Sequence, residues 1–274
     1  MPSSPPPSLP GPLSRDQVVA ALRAAGCVFA EDEAELILAT APAPADVTAL
    51  VARRAGGLPL ELVLGWAEFR GLRITVEPGV FVPRRRTEFL VAEALAQAPD
   101  ATVVVDLCCG SGAVGAALAT ALAGSGAAGT APEVHAADLD PVAVRCARRN
   151  LAGVGGRVYA GDLFQALPGA LRGRVEILAA NVPYVPSGEV ALLPPEARDH
   201  EPPLALDGGA DGLDVLRRVA GEAAGWLAPG GCLLVETGER QAAAALDAFA
   251  RGGLRARLAA SEELYAHVVV GVRD

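Results

Sequence analysis

The sequence predicts an α/β fold, a mostly parallel, doubly wound sheet with a small helical region in front of it. Three observations carry that expectation. From Thr102 onward, short apolar runs rich in β-branched residues alternate with longer helical stretches. Turns bearing Gly or Asp close the runs: Cys108-Cys109-Gly110-Ser111-Gly112 after the first, Asp138 after the second, Asp162 after the third. A fourth run, Val175 to Ala180, ends in Asn181-Val182-Pro183-Tyr184, where Pro183 fixes φ, removes a donor and drives Val182 towards extended backbone.

The elements read in order as follows. Residues 1–12 are rich in Pro and Ser and are expected to be disordered. Ser14 and Gln17 form a capping box, with Leu13 and Val18 at the staple positions, so a helix starts there and ends at Gly26. Two further helices are expected over Glu31–Ala39 and Asp46–Arg54, making residues 13–65 a small helical domain. Trp66–Phe69 and Leu72–Val76 flank Arg70-Gly71 as a hairpin, with residues 66–86 linking to the main domain, residues 87–274. Arg84-Arg85-Arg86 reads as a solvated charge run before a helix over Thr87–Ala98. The alternation then gives strands at Thr102–Leu107, Val134–Ala137, Arg157–Ala160 and Val175–Ala180. Helices follow the first two, reaching about Ala123 and Leu151, and Gly124–Pro132 reads as a flexible surface loop. Leu213–Leu227 is expected to be helical, Pro229-Gly230-Gly231 a turn and Cys232–Glu236 a strand. A helix over Arg240–Arg251 and strands at Arg255–Ala260 and His267–Val272 complete the sheet.

Composition narrows the function classes. A chain of 274 residues, 51% of them hydrophobic, can bury a sizeable core without disulfides or metals. The net charge is −9 and every basic residue is Arg, so non-specific nucleic-acid binding is disfavoured. The five cysteines (Cys27, Cys108, Cys109, Cys146, Cys232) lack metal-ligand spacing, which predicts reduced thiols, a cytoplasmic protein and no metal. No apolar run reaches the length of a membrane span, and the first residues lack the pattern of a signal peptide.

The chemistry lies at the strand ends, where ligands bind in open α/β sheets. The Gly-bearing turn lets a ligand approach the backbone, and Asp106 sits beneath it, ordering the turn. Asp138 suits the hydroxyls of a ribose. Asp162 suits an adenine amino group, with Leu163 and Phe164 lining the ring. Asn181 Oδ1 and the Val182 carbonyl can accept the two N–H groups of a planar amide or amine while Tyr184 covers a face. His135, His200 and His267 are read as structural.

Together these residues resemble class I S-adenosylmethionine-dependent methyltransferases, with a Rossmann-like seven-stranded sheet. Asn181-Val182-Pro183-Tyr184 looks like the Asn-Pro-Pro-Tyr motif of enzymes that methylate amide or exocyclic nitrogens. Three more stretches narrow the resemblance to the HemK/PrmC family of protein-(glutamine-N5) methyltransferases. They are Phe81-Val82-Pro83-Arg84 with Thr87-Glu88, Glu201-Pro202, and Ala205 to Asp214. The resemblance implies S-adenosyl-L-methionine as cofactor and the glutamine of a Gly-Gly-Gln tip in peptide chain release factors as acceptor. It implies that Cys108, Cys109, Gly110, Ser111 and Gly112 wrap the methionine part of the cofactor, Asp138 its ribose, and Asp162 with Leu163 its adenine end. Asn181 and Val182 would bind the substrate amide, Asn181 and Asp106 would also count among the cofactor-binding residues, Pro183 and Tyr184 would shape the amide slot, and Thr87 and Glu88 would border the methionine end. The helical domain would help engage the release factor, with no direct nucleic-acid or membrane partner and a monomeric protein.

The sequence departs from the family at three places. Cys108-Cys109-Gly110-Ser111-Gly112 replaces Gly-Thr-Gly-x-Gly, Val182 replaces the first Pro of the motif, and Arg85-Arg86 replaces the usual Pro-Glu. Two readings compete: methylation of an amino group in RNA or DNA, since motifs like Asn-Pro-Pro-Tyr also serve adenine, and a non-catalytic protein that only binds the cofactor, which the departures at Cys108 and Val182 motivate.

Overall fold

The computed structural model describes residues 13–125 and 131–274, in two units divided between Gly65 and Trp66. The Pro-rich start and the centre of the Gly124–Pro132 stretch lie outside the described residues.

The first unit holds α1 (Arg15–Ala24), α2 (Ala30–Thr40), α3 (Pro44–Ala55) and α4 (Leu60–Leu64). The α1 start is capped as its sequence dictates. Gln17 N donates to Ser14 Oγ at 3.3 Å and Ser14 N to Gln17 Oε1 at 2.8 Å. Val18, Leu22, Ala34, Ile37, Val47 and Val51 form its core. Arg54 pairs with the nearly buried Glu33 at 2.6 Å. The sequence reading did not anticipate α4, because five residues are too few to show a helical period.

The second unit opens with the antiparallel hairpin β1 (Trp66–Phe69) and β2 (Leu72–Thr75), turned by Arg70 and Gly71 at φ 49° and 74°. A 3-10 turn over Arg85–Thr87 runs into α5 (Glu88–Gln97). Then come β3 (Val103–Leu107), α6 (Ala113–Ser125), β4 (Glu133–Asp138), α7 (Pro141–Leu151), β5 (Arg157–Ala160) and β6 (Val175–Ala180). Two short helices, α8 (Pro195–His200) and α9 (Pro203–Leu206), precede α10 (Asp214–Ala223), β7 (Leu227–Thr237), α11 (Ala242–Arg251), β8 (Arg255–Ser261) and β9 (Ala266–Val272).

The seven-stranded sheet has the order β5-β4-β3-β6-β7-β9-β8, parallel except for β9. Both faces are covered, so the central strands β3 and β6 are buried at nearly every position rather than at alternate ones. Val104, Ile177, Leu234 and Val270 face one layer, with Leu90, Leu118 and Leu151. Their neighbours Val105, Leu178, Leu233 and Val269 face the other, with Leu216, Trp226 and Phe249. The chain runs outward from β3 to β5, then returns to place β6 on the other side of β3. The switch point therefore lies between Leu107 and Ala180, which are paired, and a crevice opens beyond their carboxyl ends.

Two boundaries differ from expectation. Pro229-Gly230-Gly231 is a bulge inside β7 rather than a turn before it. The partner of Val175 is Leu227 while that of Ile177 is Cys232, and Gly231 lies so close that a Cβ there would sit 2.6 Å from the Val175 carbonyl. Helix α10 stops at Ala223, since the chain must turn to bury Trp226.

Candidate active site

A cavity of about 650 Å³ occupies the crevice at the switch point. At one end, β3 runs into the Gly-bearing turn. Cys108 and Gly110 both take left-handed backbone, at φ 53°, and Cys109 N donates to the Ala137 carbonyl at 3.1 Å. A Cβ at Gly110 would meet only Phe81 Cβ, at 4.0 Å, so the turn offers bare backbone to a ligand. Cys108 tolerates a conformation that costs a non-glycine residue about 1–2 kcal/mol. Burial pushes both the Cys108 and Cys109 thiols up, which leaves neither a thiolate nucleophile at neutral pH.

Asp138 ties this turn to the end of β4. Its Oδ2 accepts from Gly110 N at 2.8 Å and its Oδ1 from Asp140 N at 2.9 Å. Burial raises its pKa, against those two backbone donors. Asp162 also lines the cavity and accepts from Arg218 at 2.6 Å. Leu163 lines the same end at φ 47°.

Asp106 lies under the turn with Oδ2 accepting from Gly115 N at 2.9 Å. Burial lifts its pKa from 3.8 to about 7. A raised carboxylate means that the folded chain holds a proton which the unfolded chain has released. Stability from this group is therefore intact below pH 4 and is lost as pH rises through 7. At 1.36 kcal/mol per unit the loss approaches roughly 4 kcal/mol. Asp106→Asn keeps an acceptor for Gly115 N and removes the titration. Its melting temperature between pH 5 and pH 8 is expected to decline less than that of the unsubstituted protein; parallel declines would refute the assignment.

The other end is built around Asn181. Its Nδ2 donates to Thr87 Oγ1 at 3.3 Å, while its Oδ1 is buried with no hydrogen-bond partner. Thr87 Oγ1 donates in turn to Glu236 Oε2 at 2.6 Å. Glu236 ends the apolar part of β7 and is 2% exposed. Its Oε1 takes Arg86 Nε at 2.9 Å and the Tyr184 hydroxyl at 3.1 Å, and Arg86 also donates to that hydroxyl. Burial, then the Glu236 charge, pushes the Tyr184 phenol up, so it stays protonated.

The stretch Ala205 to Asp214 buttresses this loop. Gly208 N donates to the Val185 carbonyl at 2.8 Å and Val185 N to the Leu206 carbonyl at 3.0 Å. Gln241 Nε2 reaches the carbonyls of both Tyr184, at 2.9 Å, and Asp211, at 2.8 Å. Glu201 anchors the segment opposite, accepting from Val82 N at 3.3 Å and Arg84 at 2.6 Å.

The structure thus brings Asp106, Cys108, Cys109, Gly110 and Ser111 to one end of a single cavity, with Asp138, Asp162 and Leu163. Asn181, Val182, Pro183 and Tyr184 stand at the other, with Thr87. Three expected residues fall elsewhere. Gly112 does not line the cavity; a Cβ there would press on Ala147 and Leu151 at 3.2–3.3 Å, so it is a packing glycine under α7. Phe164 stacks on Trp226 at 5.4 Å instead of facing the cavity. Glu88 turns away and accepts from Arg70 N at 3.1 Å, holding the hairpin. The arginine run is a solvated face only in part: Arg85 and Arg86 are exposed, but Arg84 and Arg86 also pair with buried carboxylates. Sequence reasoning missed Glu236, Arg218 and Gln241. Glu236 had a signal, a charge closing the apolar run Leu233-Leu234-Val235. Among the described residues no group of His, Cys, Asp and Glu is placed to hold a metal ion, and no helix is long and apolar enough to cross a membrane.

The Methyltransferase small domain family matches residues 71–190, from the hairpin past the Asn181 loop. A release factor glutamine methyltransferase of Geobacter sulfurreducens is 42% identical over 206 residues, covering 74% of this chain and 69% of that one. The chain belongs to the release factor glutamine methyltransferase family. S-adenosyl-L-methionine is the cofactor that goes with this family and fold. A relative in Streptomyces pristinaespiralis, 38% identical over 229 residues, covers 81% of this chain and 75% of its own. It is a 4-amino-L-phenylalanine/4-methylamino-L-phenylalanine methyltransferase. The fold of this family member is shared with a ribosomal protein L11 methylase from Lactobacillus delbrueckii subsp. bulgaricus. That structure has a TM-score of 0.52 at 15% identity and covers 73% of this chain and 85% of its own.

Proposed function

We propose that this chain methylates the side-chain amide nitrogen of a protein glutamine, the one in the Gly-Gly-Gln tip of peptide chain release factors. The observation that carries the reading is the buried, unpartnered Asn181 Oδ1 beside the cavity. A buried acceptor without a partner costs about 1–3 kcal/mol, and an incoming amide N–H relieves that cost. Residues at the opposite end fit the cofactor. Bare backbone at Gly110 can lie along its methionine part with Cys108, Cys109 and Ser111, while Asp138 and Asp162 meet ribose hydroxyls and the adenine amino group. Asp106 supports the turn from below.

S-adenosyl-L-methionine supplies an electrophilic methyl group on a sulfonium. The chain's own residues supply position. Asn181 Oδ1 and the Val182 carbonyl accept the two amide N–H groups, which turns the nitrogen lone pair, otherwise delocalised, towards the cavity. Pro183 keeps that carbonyl at the strand end, and the Tyr184 ring covers the amide and excludes water. Catalysis is positioning and desolvation. The amide proton leaves after the methyl has arrived, so no general base is assigned. Residues 13–65 serve to engage the release factor. The protein works as a monomer in the cytoplasm, without direct contact to nucleic acid.

Asp138→Ala removes one charge-assisted acceptor and is expected to weaken cofactor binding about 30-fold, as read by calorimetry. An unchanged affinity would remove Asp138 from the site.

The function is tested by transfer of labelled methyl to purified release factors, with the Gly-Gly-Gln glutamine present or replaced. Label that vanishes with the glutamine supports the reading; label that persists on the replaced factor overturns it. The Streptomyces pristinaespiralis relative favours a second reading, an aromatic amine as acceptor, since the same slot holds any planar nitrogen. 4-Amino-L-phenylalanine in place of the release factor tests it directly.

A further inference from the structure

We infer that Arg86 is a positioning residue that sets the orientation of the Asn181 amide and the Tyr184 ring through Glu236. This deepens the glutamine reading and rests on it. Arg86 lies on the 3-10 turn over Arg85–Thr87. A carboxylate at that position would repel Glu236 and could not donate to the Tyr184 hydroxyl.

The connection runs through hydrogen atoms. Glu236 accepts from each of the three side chains that reach it, Thr87, Arg86 and Tyr184. Thr87 donates its hydroxyl hydrogen to Glu236 Oε2, at 2.6 Å, and is left only lone pairs to offer Asn181, at 3.3 Å. Those lone pairs require the Asn181 NH₂ group, and the amide oxygen therefore turns to the slot. Arg86 is the cation paired with Glu236 in this nearly buried place, through Nε at 2.9 Å. Its second arm holds the Tyr184 hydroxyl, and its guanidinium carbon lies 5.8 Å from the ring centroid. A planar fork can bind two partners at once where a lysine ammonium binds as a point. The Arg86 side chain is 43% exposed, so it is a small contributor to folding compared with its reach into the slot.

The test compares Arg86→Ala, Arg86→Lys, Tyr184→Phe and the double variant Arg86→Ala/Tyr184→Phe, in steady-state methyl transfer to release factor and in calorimetry with S-adenosyl-L-methionine. Expected for Arg86→Ala are a kcat about 30-fold lower, a release-factor KM within twofold and an unchanged cofactor affinity. Arg86→Lys, which keeps the charge and protects the fold, should recover part of kcat. The two substitutions at Arg86 and Tyr184 should cost less together than the product of their separate effects. Independent effects, or a loss that falls on KM alone, overturn the inference. A second readout needs no turnover. The chain has three tyrosines, and in 3-fluorotyrosine-labelled protein the ¹⁹F line missing from Tyr184→Phe identifies that ring. It should shift and broaden in Arg86→Ala; an unaltered line overturns the inference. Unsubstituted protein that transfers nothing to release factor, whatever the ¹⁹F lines show, instead overturns the glutamine reading.

Discussion

Asn181→Ala is expected to bind S-adenosyl-L-methionine normally and to lose about a thousandfold in kcat. The substitution removes an acceptor in the slot that is buried and has no hydrogen-bond partner, Oδ1. Deleting a preorganised hydrogen-bonding group from an acyl-transfer site costs about 10²–10³ in rate, and here the same group also aims the reacting lone pair. Asn181 also holds Thr87, but the Thr87 hydroxyl keeps its stronger partner Glu236, so the fold around the cavity survives. Single-turnover methyl transfer alongside calorimetry separates the two effects. Turnover near that of the unsubstituted protein would refute the amide slot. Loss of cofactor affinity together with turnover would show that Asn181 acts at the other end of the cavity.

Gly212→Ala, outside the cavity lining, is expected to cost about a hundredfold in kcat and about 2–4 kcal/mol in stability. Gly212 takes φ 77°, where a side chain is strained in any surroundings. Its surroundings are also full, since a Cβ would overlap the Tyr184 carbonyl oxygen and the Gln241 amide nitrogen. Those two atoms form one of the bonds that clasp the Asn181–Tyr184 loop to the Ala205–Asp214 stretch. Neither rigid backbone nor a spent amide can yield cheaply, so the loop must move. Cofactor affinity should change little, because Asp138 and Asp162 follow β4 and β5, on the far side of β3 from the Asn181 strand. Chemical denaturation and kcat together test this. A variant with native stability and native kcat would mean that the clasp is incidental.

Residues close in sequence were legible without the structure. The alternation after Thr102 determined a parallel α/β sheet, because buried parallel strands are apolar at every position and the connecting helices are not. The strand-end residues Asp138, Asp162 and Asn181 could be placed in one crevice from sequence, because strand ends of a doubly wound sheet converge by topology alone. Pro183 and the Gly-bearing turn carried their own backbone signals. Local chemistry also misled at single positions. Gly112 looked like part of the ligand turn, yet its absent side chain makes room for α7. Phe164 and Glu88 were near the right places, but their side chains point to Trp226 and to the hairpin.

Tertiary structure alone decided what those residues do for one another. Arg86 and Glu236 are 150 positions apart, and no periodicity or spacing connects them. Gln241 reads as a helix-start residue, yet it holds two loops from elsewhere in the chain. The physical reason is the range of each interaction. Backbone preference and amphipathic period act over a few residues and are written in the sequence that displays them. A hydrogen bond or an ion pair depends on which side chains the packed sheet sets within about 3 Å, and a small rotation exchanges one partner for another. The strand ends therefore follow from the sequence, whereas the proton network that orients Asn181 exists only once β6, β7 and the Arg85–Thr87 turn have been packed together.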